Sequence, residues 1–357
     1  MNSLTTFGWN EFFDNHFQTY AANGYAAGRV ALEYKHFYRI YTERGEVLGE
    51  ITGRLRHEAL DRGDLPVVGD WVVINPCSER DKVTIHAVLP RKSKFTRKVA
   101  GLRTEEQPVA SNIDTVFLVT SLNQGFNVRR VERYLIVALE SGAYPVVILS
   151  KSDLCDEVEE RTRKIRAVAG EVPIHTISVV EREGLDALAQ YLKHGQTAAL
   201  IGSSGVGKST LINYWLSREH LKVREIREHD GRGMHTTTHR ELIVLPHGGL
   251  VLDTPGMREL QLWDGETGLQ IAFADIEEVA SRCYFSDCRH QDEPRCAVRE
   301  ALNAGEIDGA RYQSYEKLQK ELMYLDRKRD IRSAIAEKKE WKKLSRIASE
   351  RARMKRR

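Results

Sequence analysis

Three successive textures along the chain predict a multidomain architecture. A small β-barrel comes first, then an α/β unit on a largely parallel sheet, then a mainly helical part that holds a cysteine cluster. From Gly24 to about Pro90, short alternating runs recur between turn signals. From Ile113 to about Trp263, apolar runs alternate with helical segments. From about Gln270 the periodicity is helical, interrupted only between Cys283 and Cys296. A length of 357 residues leaves room for two or three domains. The expected boundaries are an extension over 1–23, the barrel over 24–95, the α/β domain over 96–269, the cysteine-bearing domain over 270–320 and a basic helical tail over 321–357.

Each element has its own signal. The first twenty-odd residues read as a helical or irregular lead-in. The barrel strands include Arg29–Leu32, Phe37–Tyr41 and Trp71–Ile74, with turns at Glu43–Glu46 and Arg62–Asp64. Four or five such strands suit an OB-fold, although periodicity does not separate it from an SH3-like barrel. Arg91–Lys98 is basic with one aromatic, and reads as a linker or the edge of a nucleic-acid surface. Strands are then expected at Thr115–Thr120, Pro145–Ser150, Thr197–Ile201, Leu242–Leu245 and Leu250–Leu252. Helices are expected at Val128–Ser141, Glu157–Ala169 and Gly184–Leu192. Leu318, Leu322 and Leu325 mark a later helix stripe.

Composition excludes several classes. Hydrophobic residues make up 41% and charged residues 29%, a globular balance. No apolar run of about 18 residues is present, so no membrane-spanning helix is expected. The opening MNSLTTFGWNEFFDNHF lacks a basic-then-apolar pattern, which argues against a secretory signal and for a cytoplasmic protein. Five cysteines, three of them within fourteen residues, argue for a metal site in a reducing compartment over a disulfide framework. From Arg311 to Arg357, 17 Lys/Arg face 7 Asp/Glu. That surplus of +10 leaves −7 for the rest of a chain of net charge +3. The basic tail points to a polyanionic partner.

The phosphate signal is specific. Gly202-Ser203-Ser204-Gly205-Val206-Gly207-Lys208-Ser209 matches G-x-x-x-x-G-K-[ST], follows an apolar run and precedes a helical one starting at Thr210. Glycines let backbone N–H groups face phosphate oxygens, and the helix N-terminus adds partial positive charge. Lys208 is expected to bridge the phosphates and Ser209 to ligate Mg²⁺. Asp253-Thr254-Pro255-Gly256 lies 45 residues after Lys208 at a strand end. There Asp253 can hold Mg²⁺ through water, and the Gly256 amide can sense a γ-phosphate. Between them, Gly231–Thr238 predicts a loop able to order and disorder. One of its three threonines can complete the Mg²⁺ shell, and Thr237 is preferred.

Base choice falls to Ser150-Lys151-Ser152-Asp153, which resembles the Asn-Lys-x-Asp element of GTPases with Ser for Asn. The Asp153 carboxylate can accept from guanine N1–H and the exocyclic amine, a donor pair that adenine lacks. Lys151 would lie along the base. Ser150, shorter than Asn, makes fewer bonds. Ser178, in Ile177-Ser178-Val179, is a candidate for backbone donation to guanine O6. These base elements precede the phosphate loop, whereas in most GTPases they follow it. The order implies a circularly permuted P-loop GTPase domain whose γ-phosphate-sensing loop runs directly into the C-terminal part.

Cys283-x4-Cys288-x-His290-x5-Cys296 offers three thiolates and one imidazole, a tetrahedral Zn²⁺ set with no open position. Such a site contributes about 10–16 kcal/mol of apparent folding free energy in zinc-finger peptides. Cys77 and Cys155 lie apart and read as packed thiols.

Permutation, a preceding barrel, a following cysteine cluster and the stretch Glu106–Asp114 together resemble the ribosome small-subunit-dependent GTPase A family (RsgA, also YjeQ), over about Gly24 to Tyr315. The resemblance implies an N-terminal OB-fold β-barrel, a central α/β circularly permuted P-loop GTPase domain and a C-terminal mainly helical zinc-binding domain. It also implies action late in small-ribosomal-subunit assembly, with GTP hydrolysis stimulated by the subunit and its rRNA bound. The ligands would be GTP or GDP, Mg²⁺ and Zn²⁺. Ser150 and the long basic tail depart from the family. Many GTPases orient water with a Gln directly after Asp-x-x-Gly; here Met257 stands there and cannot. His235, in the phosphate-sensing loop, is the candidate, and the resemblance, in which a histidine of that loop is implicated, supports it. The competing readings are a GTP-gated, non-catalytic RNA-binding scaffold and a small-molecule ATPase or kinase. Nothing suggests a coiled coil, and a monomer is expected.

Overall fold

Asn10 begins the first helix by accepting a hydrogen bond from the Phe12 amide, which satisfies an N–H that the first turn leaves without a partner. This helix, α1 (Glu11–Ala22), turns the lead-in into a lid on the barrel. Phe13 is buried, and Trp9 meets Trp71 edge-on with ring centroids 4.7 Å apart. The computed structural model of the chain describes residues 3–35, 37–76, 82–98, 106–123, 125–217, 240–253, 266–325 and 327.

Strands β1 (Ala26–Glu33), β2 (Tyr38–Thr42), β3 (Gly45–Ile51), β4 (Trp71–Ile74) and β5 (Lys82–Val88) follow, with the short helix α2 (Gly53–Glu58) after β3. Their order is β1-β2-β3-β5-β4, and β4 returns to β1 and closes the barrel. The β3–β5 pair is parallel and the others are antiparallel. This is the OB arrangement, so closure settles what alternation left open between OB and SH3-like barrels. β1 coils enough to pair with two neighbours because Gly28 lies against Ile40; a Cβ there would sit 2.4 Å from Ile40 Cγ2. Val30, Ile40, Val72, Ile74 and Ile85 fill the interior.

Within Arg91–Lys98, part of the stretch is built into the fold, while Lys92 is exposed. Residues 94–98 form strand β6 (Lys94–Lys98), which pairs with β7 (Glu106–Ser111), and Ser93 and Phe95 are buried. Arg91 turns inward to the buried Asp70 carboxylate at 2.7 Å and donates to the Gly63 and Leu65 carbonyls. A buried carboxylate outbids solvent for a nearby guanidinium because leaving it unpaired costs several kcal/mol. Close by, the fully buried Arg29 donates to the carbonyls of Phe7, Gly69 and Asn112. Burial pushes its pKa down to about 10. One side chain thus knots the lead-in, a barrel loop and the entry to the α/β unit.

That unit contains β8 (Thr115–Ser121), β9 (Tyr144–Ser150), β10 (Ile174–Ile177), β11 (Thr197–Ile201), β12 (Glu241–Val244) and β13 (Leu250–Asp253). The sheet order is β10-β9-β8-β11-β13-β12, parallel except for β12 at the edge. Helices α3 (Val128–Ser141), α4 (Val158–Ala169) and α5 (Lys208–Leu216) cover the sheet, and its central strands are buried throughout their length. Gly184–Leu192, expected as a helix, forms only a 3-10 segment at Asp186–Tyr191. The barrel and sheet meet edge to edge. Leu32 of β1 pairs with Glu241 of β12, Arg39 pairs with the Glu241 carboxylate, and Tyr41 Oη donates to the Leu242 carbonyl at 2.9 Å.

Four helices end the described chain: α6 (Glu266–Ala272), α7 (Ala274–Ala280), α8 (Ala297–Ala304) and α9, over 309–325. They dock on α3. Gly268 allows α6 close approach, since a Cβ there would lie 2.7 Å from the Ile136 carbonyl. Glu132 of α3 is 1% exposed and accepts from Arg129, Arg311 and Ser314. Arg311, counted by charge in the basic tail, is therefore committed inward: it also forms a bidentate pair with Asp275. Arg133 pairs with Glu321 in the same way.

Candidate functional site

The phosphate loop joins β11 to α5. Gly202 passes so close to β8 that a Cβ would lie 2.3 Å from the Val119 carbonyl, so the first glycine of the motif is a packing requirement. Gly205 and Gly207 take positive φ values of 77° and 98°. Gly207 is also the N-cap of α5 and brings no side chain to cap it. Gly207 thus leaves the first amides of α5 uncapped by its own side chain, the arrangement that binds anions at a helix N-terminus. Lys208 Nζ lies over the loop and donates to the Gly202 and Ser203 carbonyls at 2.7 Å each. Val206 is buried and Ser204 exposed.

The Ser150–Asp153 loop follows β9, two strands away. Ser150 is buried, and its hydroxyl donates to the Val206 carbonyl at 2.7 Å and lies 3.3 Å from the Thr120 carbonyl. The short side chain therefore ties the two loops together. Lys151 holds a left-handed backbone, φ 60° and ψ 45°, a conformation that costs a non-glycine residue about 1–2 kcal/mol and clusters at functional sites. Asp153 follows on the 3-10 turn Ser152–Leu154 and is exposed. Ser178 is fully buried. Its amide donates to the Glu183 carbonyl at 3.1 Å, and its hydroxyl accepts from the Glu181 amide. The Ser178 N–H is thus already spent, and Ser178 shapes the loop from within.

Asp253 ends β13, beside β11. Thr237, His235, Gly256 and Met257 lie outside the described residues.

One neighbour had no motif to announce it. Arg130 lies in the first turn of α3, where Asn127 Oδ1 caps its amide at 3.0 Å. Its guanidinium donates to Ser203 Oγ in the phosphate loop at 3.1 Å.

The cysteine cluster assembles. The ligand atoms of Cys283, Cys288, His290 and Cys296 all lie within 4.8 Å of one another. Cys283 Sγ is 3.9 Å from Cys296 Sγ and 3.6 Å from His290 Nδ1, and Cys296 Sγ is 3.4 Å from that nitrogen. A tetrahedron with Zn–S near 2.3 Å requires S···S edges of about 3.8 Å, so the donor set fits zinc, with Nδ1 the nitrogen that faces the thiols. Burial lowers the His290 pKa and favours the neutral imidazole that a metal needs. Cys155 packs half-buried against the core, and Cys77 lies outside the described residues.

Comparison with known proteins agrees with this geometry. A family model described as RsgA GTPase matches residues 88–263, and one described as 50S ribosome-binding GTPase matches 197–332. The small ribosomal subunit biogenesis GTPase RsgA of Opitutus terrae is 46% identical over 351 residues, 96% of each chain. RsgA 1 of Oceanobacillus iheyensis is 46% identical over 89% of this chain and 91% of its own. The crystal structure of YjeQ from Thermotoga maritima superposes with a TM-score of 0.63 at 30% identity, covering 84% of this chain and 99% of that one. YloQ, described as a circularly permuted GTPase, superposes with a TM-score of 0.59 at 25% identity, over 84% of this chain and 95% of its own. With its Ser150–Asp153 loop ahead of its phosphate loop in the chain and tied to it in space, this protein belongs to the RsgA family and is a circularly permuted GTP hydrolase.

Proposed function

We propose that this GTPase acts in biogenesis of the small ribosomal subunit and that binding of the subunit switches its hydrolysis on. The Ser150–Val206 hydrogen bond carries the chemical side of this proposal, because it sets a guanine-reading loop against a phosphate loop. The near-full-length similarity to relatives named for small-subunit biogenesis supports the partner. Asp153 accepts from the guanine N1–H and amine, and Lys151 lies along the base. With the Ser178 amide occupied, donation to O6 passes to its neighbour Val179. Gly202–Gly207, the α5 N-terminus and Lys208 hold the phosphates. Ser209, Thr237 and Asp253 would hold Mg²⁺, which when bound would neutralise phosphate charge, and the Gly256 amide would contact the γ-phosphate. His235 orients the attacking water that Met257 cannot. Cys283, Cys288, His290 and Cys296 hold Zn²⁺, whose role is structural.

Beside that cluster, Tyr284 and Phe285 are exposed, with the Arg295 guanidinium 5.1 Å over the Tyr284 ring. Exposed aromatics with arginine suit stacking on unpaired rRNA bases, and the basic tail suits its phosphates. Among the described residues no helix is long and apolar enough to cross a membrane. In this scheme the protein works where small subunits are assembled, in the cytoplasm, as a monomer.

The test is GTP turnover by the purified protein, alone and with small ribosomal subunits, beside a His235→Ala variant. Subunits should raise turnover many-fold in the native chain, less so as salt rises, and fail to do so in the variant. Stimulation that survives His235→Ala would move the water-orienting role elsewhere. Tight GTP binding without any stimulation would favour the nucleotide-gated scaffold.

A further inference from the structure

Helix α3 carries three arginines near its start, and their partners differ. Arg129 is 2.6 Å from Glu132 and 3.6 Å from Asp308. Arg133 forms a bidentate pair with Glu321. Both are neutralised within the interface between α3 and the C-terminal helices. Among the described residues, no carboxylate pairs with Arg130. Its guanidinium turns away from that interface and donates to Ser203 Oγ at 3.1 Å, with a longer contact of 3.4 Å to the Gly125 carbonyl. Ser203 directly follows Gly202 in the phosphate loop, and its own carbonyl accepts from Lys208 Nζ. A part-buried guanidinium, with no carboxylate partner among the described residues, is thus held against the loop that cradles phosphates.

We propose that Arg130 is a catalytic residue for GTP hydrolysis, a cis-acting arginine that leaves Ser203 to contact the β–γ phosphate region when GTP is bound. In the reaction the water oxygen bonds to the γ-phosphorus, and the bond from that phosphorus to the β–γ bridging oxygen breaks. The bonding pair goes to the β-phosphate, and the water proton ends on the released phosphate. Negative charge grows on the bridging and γ-oxygens, and a planar five-donor cation placed there stabilises the transition state more than the bound substrate. A hydroxyl acceptor suits this role because it is easily exchanged: the neutral Ser203 bond is weak against a charge-assisted bond to phosphate. The assignment rests on the GTPase activity, and it also supplies a positive charge that Met257, in place of a water-orienting Gln, makes more necessary.

Full-length wild type, Arg130→Ala and Arg130→Lys would be compared in three ways: single-turnover GTP hydrolysis with small ribosomal subunits, affinity for GDP, and capture of GDP with aluminium fluoride as a transition-state mimic. For Arg130→Ala, hydrolysis should fall by about 10²-fold or more, fluoride capture should be lost, and GDP affinity should stay within about threefold. Arg130→Lys should keep the charge, recover only part of the rate, and guard against a folding artefact. Native hydrolysis and capture in Arg130→Ala would overturn the assignment. So would a parallel loss of GDP affinity and rate, which would make Arg130 a brace for the loop. A wild-type chain that binds GDP yet never turns over GTP would overturn the underlying activity as well.

Discussion

Ser150 shows how one atom changes what a position can do. With a side chain too short to reach a base and hold a loop at once, it holds the loop, donating to the buried Val206 carbonyl. Ser150→Ala leaves that carbonyl without its donor, at a cost of about 1 kcal/mol or more. Guanine-nucleotide affinity should fall about fivefold, because the base and phosphate loops are no longer fixed to each other. Calorimetric titration with GDP checks this, and an unchanged affinity would remove the tether from the account. Ser178 carries a similar lesson. From spacing alone its amide pointed to the base, but the backbone bridge to Glu183 had already claimed it. A motif fixes residue types along the chain, whereas the direction of an N–H depends on a turn several residues later.

Among the elements, α3 has the most consequence. Its start touches the phosphate loop through Arg130, and its next turn buries Glu132 against the C-terminal helices. Phosphate-loop contact and C-terminal docking therefore share one helix. Asp275 of α7 belongs to the same network. Burial alone would raise its pKa, but the Arg311 guanidinium prevails and holds the carboxyl below its ordinary value. A depressed carboxylate contributes stability above the unfolded value, about 4, and that stability is lost as pH falls through the lower folded value. The docking of α7 and α9 on α3 should therefore weaken below about pH 4, and Asp275→Asn should flatten that part of the acid limb. Hydrogen exchange of α9 amides at pH 7 and in acid measures it, and an unchanged acid response in the variant would disprove the assignment. The helix α3 was legible to its end residues because capping by Asn127, a buried stripe and Gly142 are all local signals. The 186–191 segment forms a 3-10 turn in place of the expected helix, because apolar spacing at 3 is shared by 3-10 turns and α-helices.

For the whole molecule, the sheet is the centre, with the barrel joined at its β12 edge and the zinc-ligand domain clamped through α3. Removing metal with a chelator should unfold the segment from Cys283 into α8 and abolish subunit binding, while GDP affinity stays within about threefold, since the phosphate loop draws on a separate core. Limited proteolysis beside a GDP titration tests this; loss of GDP binding would mean that the cluster supports the nucleotide site. The sequence by itself determined the phosphate loop, the permuted order, the cysteine–histidine ligand set and most strands and helices. Each of these is written in contiguous residues whose spacing dictates a turn, a period or a coordination shell. Only the tertiary structure decided the fate of the buried charges. Arg29 bonds to a carbonyl 83 residues away, Arg130 to a serine 73 away and Glu132 to an arginine 179 away. Apolar periodicity says which face of an element is buried. It carries no record of which distant polar group will arrive within hydrogen-bonding distance, and low-dielectric burial makes that arrival decisive.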